Sequence, residues 1–422
     1  MTTANVAKDN PPPNFLALLD GAPEQERWPL VRQWLKDYPQ ELGAAFRAER
    51  PIYQTPDAVL ISTFDEVIEA LDQPEIFSVQ LYKPKMGSYL MTEDNTPTHN
   101  EDKEIMMSLL RREDVPRVRS FVARTGEALL DKASGEIELI NDFSRLVPAM
   151  MVQAIFGLDG VDPRKLIGWS YWNQYSAFRN QEFNLAANSK TVERKKFRSN
   201  VMAALYMARL MWRKSRRLKR GKPDNDTVTR LLQENFPKHG SLKVVRKGIN
   251  AGGLLIGAIE TTSEAVAHIL SELNERPEFW QKAHELAQDE NPAKFDLLCW
   301  EALRYRPIAP YIIRKMAADY TFKHKDGRAT TLKTGQTVLC HIGSAMFDSS
   351  AYPHPDTFDI TRSFGKSFHF GYGHHQCLGL AIGMVMVPEI VRQLFRRPGL
   401  RVVTGIEYLG KPFPEKLVLA WD

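Results

Sequence analysis

Apolar residues recur at three- and four-residue spacing over most of the chain. That period predicts helices around 27–48, 64–72, 100–133, 140–156, 190–220, 243–274, 279–288, 292–304 and 378–396. Clusters of β-branched and aromatic residues bounded by turn formers are fewer and shorter. PIYQTPDAVLIST (51–63) predicts strand ahead of a helix opened by Thr63 and Asp65, and the stretch 319–344 predicts strands joined by a turn at Asp326 and Gly327. LRVVTGIEYLG and KLVLAW predict a final strand pair. No internal repeat, low-complexity segment or Gly/Ser linker interrupts the pattern. The expectation is one mainly α domain spanning 1–422 with a smaller β-rich part, and with residues 1–25 loosely packed or poorly ordered.

Composition narrows the class. The 422 residues are 43% hydrophobic and 25% charged, an ordinary globular balance in a chain long enough to bury a core without disulfides. The three cysteines, Cys299, Cys340 and Cys377, are odd in number and widely spaced. They point to a reducing, cytoplasmic setting in which each is a buried small residue or a chemically used thiolate. The N-terminal residues lack a signal-peptide pattern, and no uncharged apolar run approaches the ~20 residues of a membrane span. No membrane insertion is expected. The net charge of +5 is too mild for a nucleic-acid footprint. The densest basic run, Arg194 to Lys222, is interleaved with Leu205, Met211, Trp212 and Leu218 at helical spacing. It reads as the solvated face of a long helix ending at Gly221 and Pro223, with an interaction patch as the alternative.

The stretch richest in chemistry is Phe370-Gly371-Tyr372-Gly373-His374-His375-Gln376-Cys377-Leu378-Gly379, which runs into the helical AIGMVMVPEIV. Most lone cysteines ahead of a helix are structural. Here glycines on both sides permit a tight turn in which several N–H groups can face the sulfur. With the positive end of the next helix, they favour a thiolate, a strongly donating ligand for a transition metal. Two other readings apply to the same residues. A dinucleotide fingerprint would need a third glycine at Gln376 and a preceding βαβ start. A zinc site from His374, His375, Cys377, Cys340 and His341 has suitable ligand types but no paired short spacing.

The match from Phe370 to Gly379 is complete for Phe-Gly-x-Gly-x-His-x-Cys-x-Gly, and this segment resembles the cysteine-ligand loop of the cytochromes P450 of the soluble bacterial type. The resemblance extends from about residue 50 to the C-terminus. It implies a fold with haem b (iron protoporphyrin IX) between a long distal helix and the proximal cysteine loop, Cys377 as iron ligand, and His375 at a haem propionate. Glu301 and Arg304, at i, i+3, resemble the family's Glu-x-x-Arg pair. The usual third partner, an Arg, is replaced by Thr357, with Arg362 as a substitute. Gly257-Ala258-Ile259-Glu260-Thr261-Thr262 resembles the distal acid–alcohol motif, with Ala258 where Gly is usual. The competing reading is a capping box of Thr261 and Glu264 starting a new helix. His99 and Lys103 resemble the His and Arg that bind a propionate, Lys keeping the charge but losing the fork. Arg314 matches the basic residue at the other propionate.

By resemblance, the activity is insertion of one atom of O2 into a small or medium hydrophobic substrate, with Thr261 a proton-relay position and Glu260 a solvent-linked acid. The chain has no dinucleotide fingerprint and no length for a flavin domain, so electrons are expected from a separate ferredoxin with its reductase. Arg111, Arg112, Lys366 and His374 are its expected docking residues on a monomer. Pocket lining is expected from Val79, Tyr82, Met86, Tyr89 and Leu90, from the helix near Leu254 and Ala258, and from 308–312. A peroxide-using enzyme, a non-oxidative haem-thiolate enzyme and a haem-binding sensor are the alternatives.

Overall fold

A computed structural model describes residues 11–234, 243–324 and 327–422. The helical period is realised with breaks where local chemistry demands them. The run over 100–133 divides into Pro97–Leu109 and Val115–Lys132, because Pro116 lies in the first turn of the second helix, where its missing N–H costs nothing. Likewise 27–48 becomes Glu24–Asp37 and Pro39–Glu49, with Pro39 opening the second helix. The longest helix, Ser189–Lys219, buries Val192, Met207, Leu210 and Met211 along one face. It stops at Gly221, whose φ of +68° suits glycine and whose N–H returns to the Leu218 carbonyl.

The tryptophan-rich stretch that the pattern leaves unassigned is a helix, Pro163–Arg179, started by the Asp162 side chain accepting the Arg164 N–H. Its aromatic residues blur the period, because Trp169, Tyr171 and Tyr175 are all buried on more than one side. It packs along Ser189–Lys219 and against Lys243–Ala258. The loosely packed stretch expected over 1–25 is corrected in part. Phe15–Gly21 is a helix whose Phe15, Leu16 and Leu19 are buried with Trp28 and Trp34 of the next helix, because apolar burial ties it down; residues 1–10 lie outside the described residues.

The β-rich part is a five-stranded sheet in the spatial order Ile52–Gln54, Val59–Ile61, Thr337–Cys340, Ile312–Met316, Phe77–Ser78. Only the Val59–Ile61 and Thr337–Cys340 pair is parallel, in the register Val59 to Val338. The two-residue strand Phe77–Ser78 and the strand Ile312–Met316 are too short or too mixed to stand out in the sequence. A three-stranded sheet joins Glu136–Glu138, Lys416–Ala420 and Arg401–Glu407, and Tyr320–Lys323 pairs with Ala329–Leu332. Of the turn expected at Asp326 and Gly327, Gly327 has φ +85° and Asp326 lies outside the described residues. The main core is helical and gathers Val115–Lys132, Glu260–Asn274, Ala293–Tyr305 and Leu380–Phe395; two smaller cores flank the five-stranded sheet.

Candidate functional site

The cysteine loop is shaped by its glycines. Gly371 and Gly373 have φ of +71° and +62°, and a Cβ on Gly373 would lie 2.7 Å from the Asp72 carboxylate. The loop closes through the Cys377 N–H to the Phe370 carbonyl at 2.9 Å. Phe370 anchors it, its ring 5.5 Å from that of Trp300 and pressed so closely on Gly383 that a Cβ there would lie 2.6 Å from the ring. Beyond the sulfur, the Gly379 N–H donates to Cys377 Sγ at 3.3 Å. Among the described residues this is the one N–H bonded to the sulfur, fewer than the glycine spacing predicts. Cys377 itself is exposed, and it is desolvation by the surrounding protein mass that holds its thiol above the ordinary range, against the pull of the Gly379 N–H and the Lys103 charge. A bound metal would be what deprotonates it. Cys299 and Cys340 are buried thiols pushed up by burial and take no part.

Around this loop the structure collects basic groups with little to bond. Thr96 caps the helix Pro97–Leu109 by accepting the His99 N–H, which places His99 and Lys103 one turn apart on one face. The His99 Nδ1 pairs with the Leu90 carbonyl, and Lys103 Nζ donates to the His374 carbonyl. The ring of His99 lies 4.3 Å from that of His374 and 5.2 Å from that of His375. His99 Nε2 and both ring nitrogens of His375 are buried without a partner. Arg314, buried in the strand Ile312–Met316, donates to the carbonyl of its own neighbour Ile313 at 2.9 Å. Burial and then the charges of Arg314, His99, His374 and Lys103 drive the His375 imidazole down to about 2. Crowded, desolvated donors that include the Arg314 and Lys103 charges are what an anion with several acceptor oxygens would satisfy. The residues present therefore fit the two propionates of haem b, with Cys377 as the iron ligand.

The distal motif is a broken helix, Lys243–Ala258 followed by Glu260–Asn274, with Ile259 at φ −95° and ψ −65°. No capping box forms at the break. The Thr261 hydroxyl instead donates to the Gly257 carbonyl at 2.7 Å, competing with the backbone ladder and holding the bend open. Gly257 is exposed there, and Ala258 and Thr261 are half-buried. Glu260 corrects an expectation, because it points into the protein and is 1% exposed. Its Oε2 accepts from Arg145 Nε at 3.0 Å, and Arg145 also reaches Glu415 and the Asn141 side chain. Tyr171 donates to Glu415 at 2.7 Å, and half-exposed Lys411 pairs with it at 3.0 Å. Glu260 is thus linked to the surface only through ion pairs. Burial raises its carboxyl to about 7 despite Arg145.

Glu301 and Arg304 form a buried two-pronged pair at 2.7 and 2.9 Å. Arg362 reaches Glu301 at 3.4 Å and donates to the Pro353, His354 and Thr357 carbonyls, so it supplies the third charge where Thr357 offers only its backbone. Of the pocket residues, Val79, Tyr82, Tyr89, Leu90 and Leu254 are buried, Ala258 is half-buried, and the Tyr89 ring lies against Gly253 so closely that a Cβ there would be 2.2 Å away. Of the docking residues, Arg111, Arg112 and Lys366 are exposed, whereas His374 turns inward to stack on His99. Among the described residues no three His, Cys, Asp or Glu side chains gather as a metal-ligand set, so the zinc reading of the loop is not formed. Arg145 and Glu415 were missed. An Arg directly ahead of the apolar run LVPAMMV is the signal that could have found the first.

Comparison with known proteins bears on the family and the fold. The family model Cytochrome P450 matches residues 52–403. The biotin biosynthesis cytochrome P450 of Bacillus subtilis is 24% identical over 76% of this chain and 76% of its own length. Cyclomarin C epoxidase CymV of Salinispora arenicola is 24% identical over 90% and 93%. The psi-producing oxygenase A of Emericella nidulans is 23% identical over 89% of this chain, which spans only 40% of that protein. Among solved structures, CalO2 superposes with a TM-score of 0.77 at 20% identity, covering 92% of this chain and 97% of its own. P450BioI, in complex with an acyl carrier protein carrying hexadec-9Z-enoic acid, superposes with a TM-score of 0.76 at 22% identity, covering 92% and 99%.

Proposed function

Since the chain belongs to the cytochrome P450 family, we propose that it is a haem-thiolate monooxygenase, one domain over residues 1–422, acting on a small or medium hydrophobic substrate. The observation that carries this reading is the convergence around the Cys377 loop of Arg314, bonded among the described residues only to its neighbour's carbonyl, with His99 Nε2 and both His375 ring nitrogens, which are buried unpartnered, and Lys103. Haem b, when bound, supplies the iron at which O2 is reduced, so that one oxygen atom enters the substrate and the other leaves as water with two electrons and two protons. The chain's residues set the conditions for that exchange. Cys377 holds the iron, and the basic cluster holds the propionates. The Thr261 hydroxyl, whose own proton is held by the Gly257 carbonyl, offers its oxygen as the acceptor that orders a proton-delivering group at the opened turn, while Val79, Tyr82 and Leu254 surround the substrate with apolar surface.

The test is the spectrum of the reduced, CO-bound holoprotein, where a red-shifted Soret band is expected from thiolate ligation; a band at the unshifted position would sink the assignment of Cys377. Thr261→Ala should consume O2 in excess of product by several-fold, and full coupling in that variant would remove Thr261 from the relay. The two electrons enter from a separate ferredoxin and its reductase, docked near exposed Arg111, Arg112 and Lys366 on a monomeric, cytoplasmic protein. R111E/R112E should slow reductase-coupled turnover about tenfold or more through the on-rate and leave peroxide-driven turnover unchanged; equal losses in both assays would reject that face.

A further inference from the structure

The helix Ser189–Lys219 is packed on one side only. Its inner face meets Pro163–Arg179 and Lys243–Ala258. The outer face carries large apolar side chains in water: Phe197, Leu205 and Trp212 are 69%, 64% and 62% exposed. Val201 and Met202 are exposed beside them. Phe197, Val201 and Leu205 follow at i, i+4 and i+8, and Trp212 lies two turns beyond Leu205, so they form one stripe about 22 Å long. Arg194, Arg198, Arg209 and Arg216 are exposed at three- and four-residue spacing from these same residues and therefore share their azimuth. There is no Asp or Glu from Arg194 to Pro223. Among the described residues Arg194, Arg198 and Arg209 have no ion-pair or hydrogen-bond partner, and Arg216 lies over the Trp212 ring at 5.3 Å.

We infer that this face seats the protein peripherally on an anionic lipid surface. The arrangement itself chooses between a lipid surface and a protein partner. A protein interface gathers its apolar anchors into a centre depleted of charge, with charges at the rim. Here an arginine stands beside each apolar anchor along the whole stripe, so a protein partner would have to set an acid in register beside every apolar pocket or leave buried guanidinium groups unpaired, at high cost. A lipid headgroup layer meets both needs at one depth. Phe197, Leu205 and Trp212 pass below the phosphates while the long arginine stems reach up to them. Trp and Arg are the residues that settle at that boundary, and an outer face without acids selects anionic lipid. The contact is peripheral: among the described residues no helix is long and apolar enough to cross a membrane.

The experiment is co-sedimentation of the full-length, haem-loaded protein with vesicles of phosphatidylcholine alone and of phosphatidylcholine with about 30% phosphatidylserine, at low and high salt. Partitioning is expected to the anionic vesicles only and to fall with salt. R198Q/R209Q should weaken it about thirty-fold, at one exposed basic contact each. W212A should weaken it as well, and both variants should keep the parent Soret absorbance, since the changed side chains face water. Equal partitioning to neutral vesicles, none to either at low salt, or unaltered binding by R198Q/R209Q would each overturn the inference. So would capture of an acidic soluble protein by this face in the absence of vesicle binding.

Discussion

Two buried arginines, Arg145 and Arg314, are treated in opposite ways. Arg145 is 3% exposed and Arg314 4%, so burial disfavours the charge of both. Around Arg145 the protein supplies everything: Glu260, Glu415, the Asn141 side chain and the Pro414 carbonyl, and the two carboxylates outweigh burial and raise its pKa. Around Arg314 it supplies the Ile313 carbonyl as a bonded partner, with Asp94 only within electrostatic reach, and burial lowers its pKa. A fully paired buried charge holds the fold. An unpaired one stores affinity for an anion that folding does not provide.

Methionine substitutions separate these roles, because Met keeps bulk and removes charge. Arg145→Met leaves Glu260 and Glu415 buried without their cation and should lower folding stability by about 3–5 kcal/mol, read from the urea midpoint of the haem-free chain. Arg314→Met removes a poorly paired charge. Its haem-free stability should stay the same or rise, while haem affinity falls by about 2–3 kcal/mol, the worth of a charged hydrogen bond, measured by haem transfer to an acceptor protein. If Arg314→Met destabilises the haem-free chain as much as Arg145→Met does, the contrast between the two sites is wrong.

The two sites were unequally legible in the sequence. The proximal one has glycines, histidines and a cysteine in contiguous order, and tight loops require such residues where they stand. His99, Lys103 and Arg314 were legible only through the family resemblance of the segments that carry them. The distal network is different in kind. Glu260, Arg145 and Glu415 come from segments over a hundred residues apart, and nothing local to Glu260 says whether its carboxyl faces water or the core. The helical period predicted the elements well, but it could not show that Ile259 breaks the distal helix, because the hydroxyl of Thr261 makes that break after the apolar pattern is satisfied. Pro163–Arg179 was missed for the converse reason: a helix buried on several sides loses its polar face, and with it the period.

The smallest effect tests whether burial or pairing governs the acids on this helix. Glu264, one turn after Glu260, is buried and paired with Arg179 at 3.1 Å, with Arg145, Glu260 and Tyr408 also within electrostatic reach. Burial outweighs Arg179 and raises its carboxyl to about 7, as for Glu260. The folded protein then keeps a proton on Glu264 at pH values where the unfolded chain, with an ordinary carboxyl, has lost it. The folded state binding more protons, stability must fall as pH rises from about 4.5 to about 7 and level off above. Buried neutral imidazoles give the opposite slope, among them His268 and His341, both held down to about 3 by burial, so the whole-protein profile mixes the two. The difference between parent and Glu264→Gln isolates the acid, since Gln still offers Arg179 an acceptor. The parent should lose about 2 kcal/mol relative to the variant between pH 5 and pH 7, read from urea midpoints at each pH. A flat difference would mean that Glu264 stays ionised throughout, and that the Arg179 pair overcomes the cost of burial.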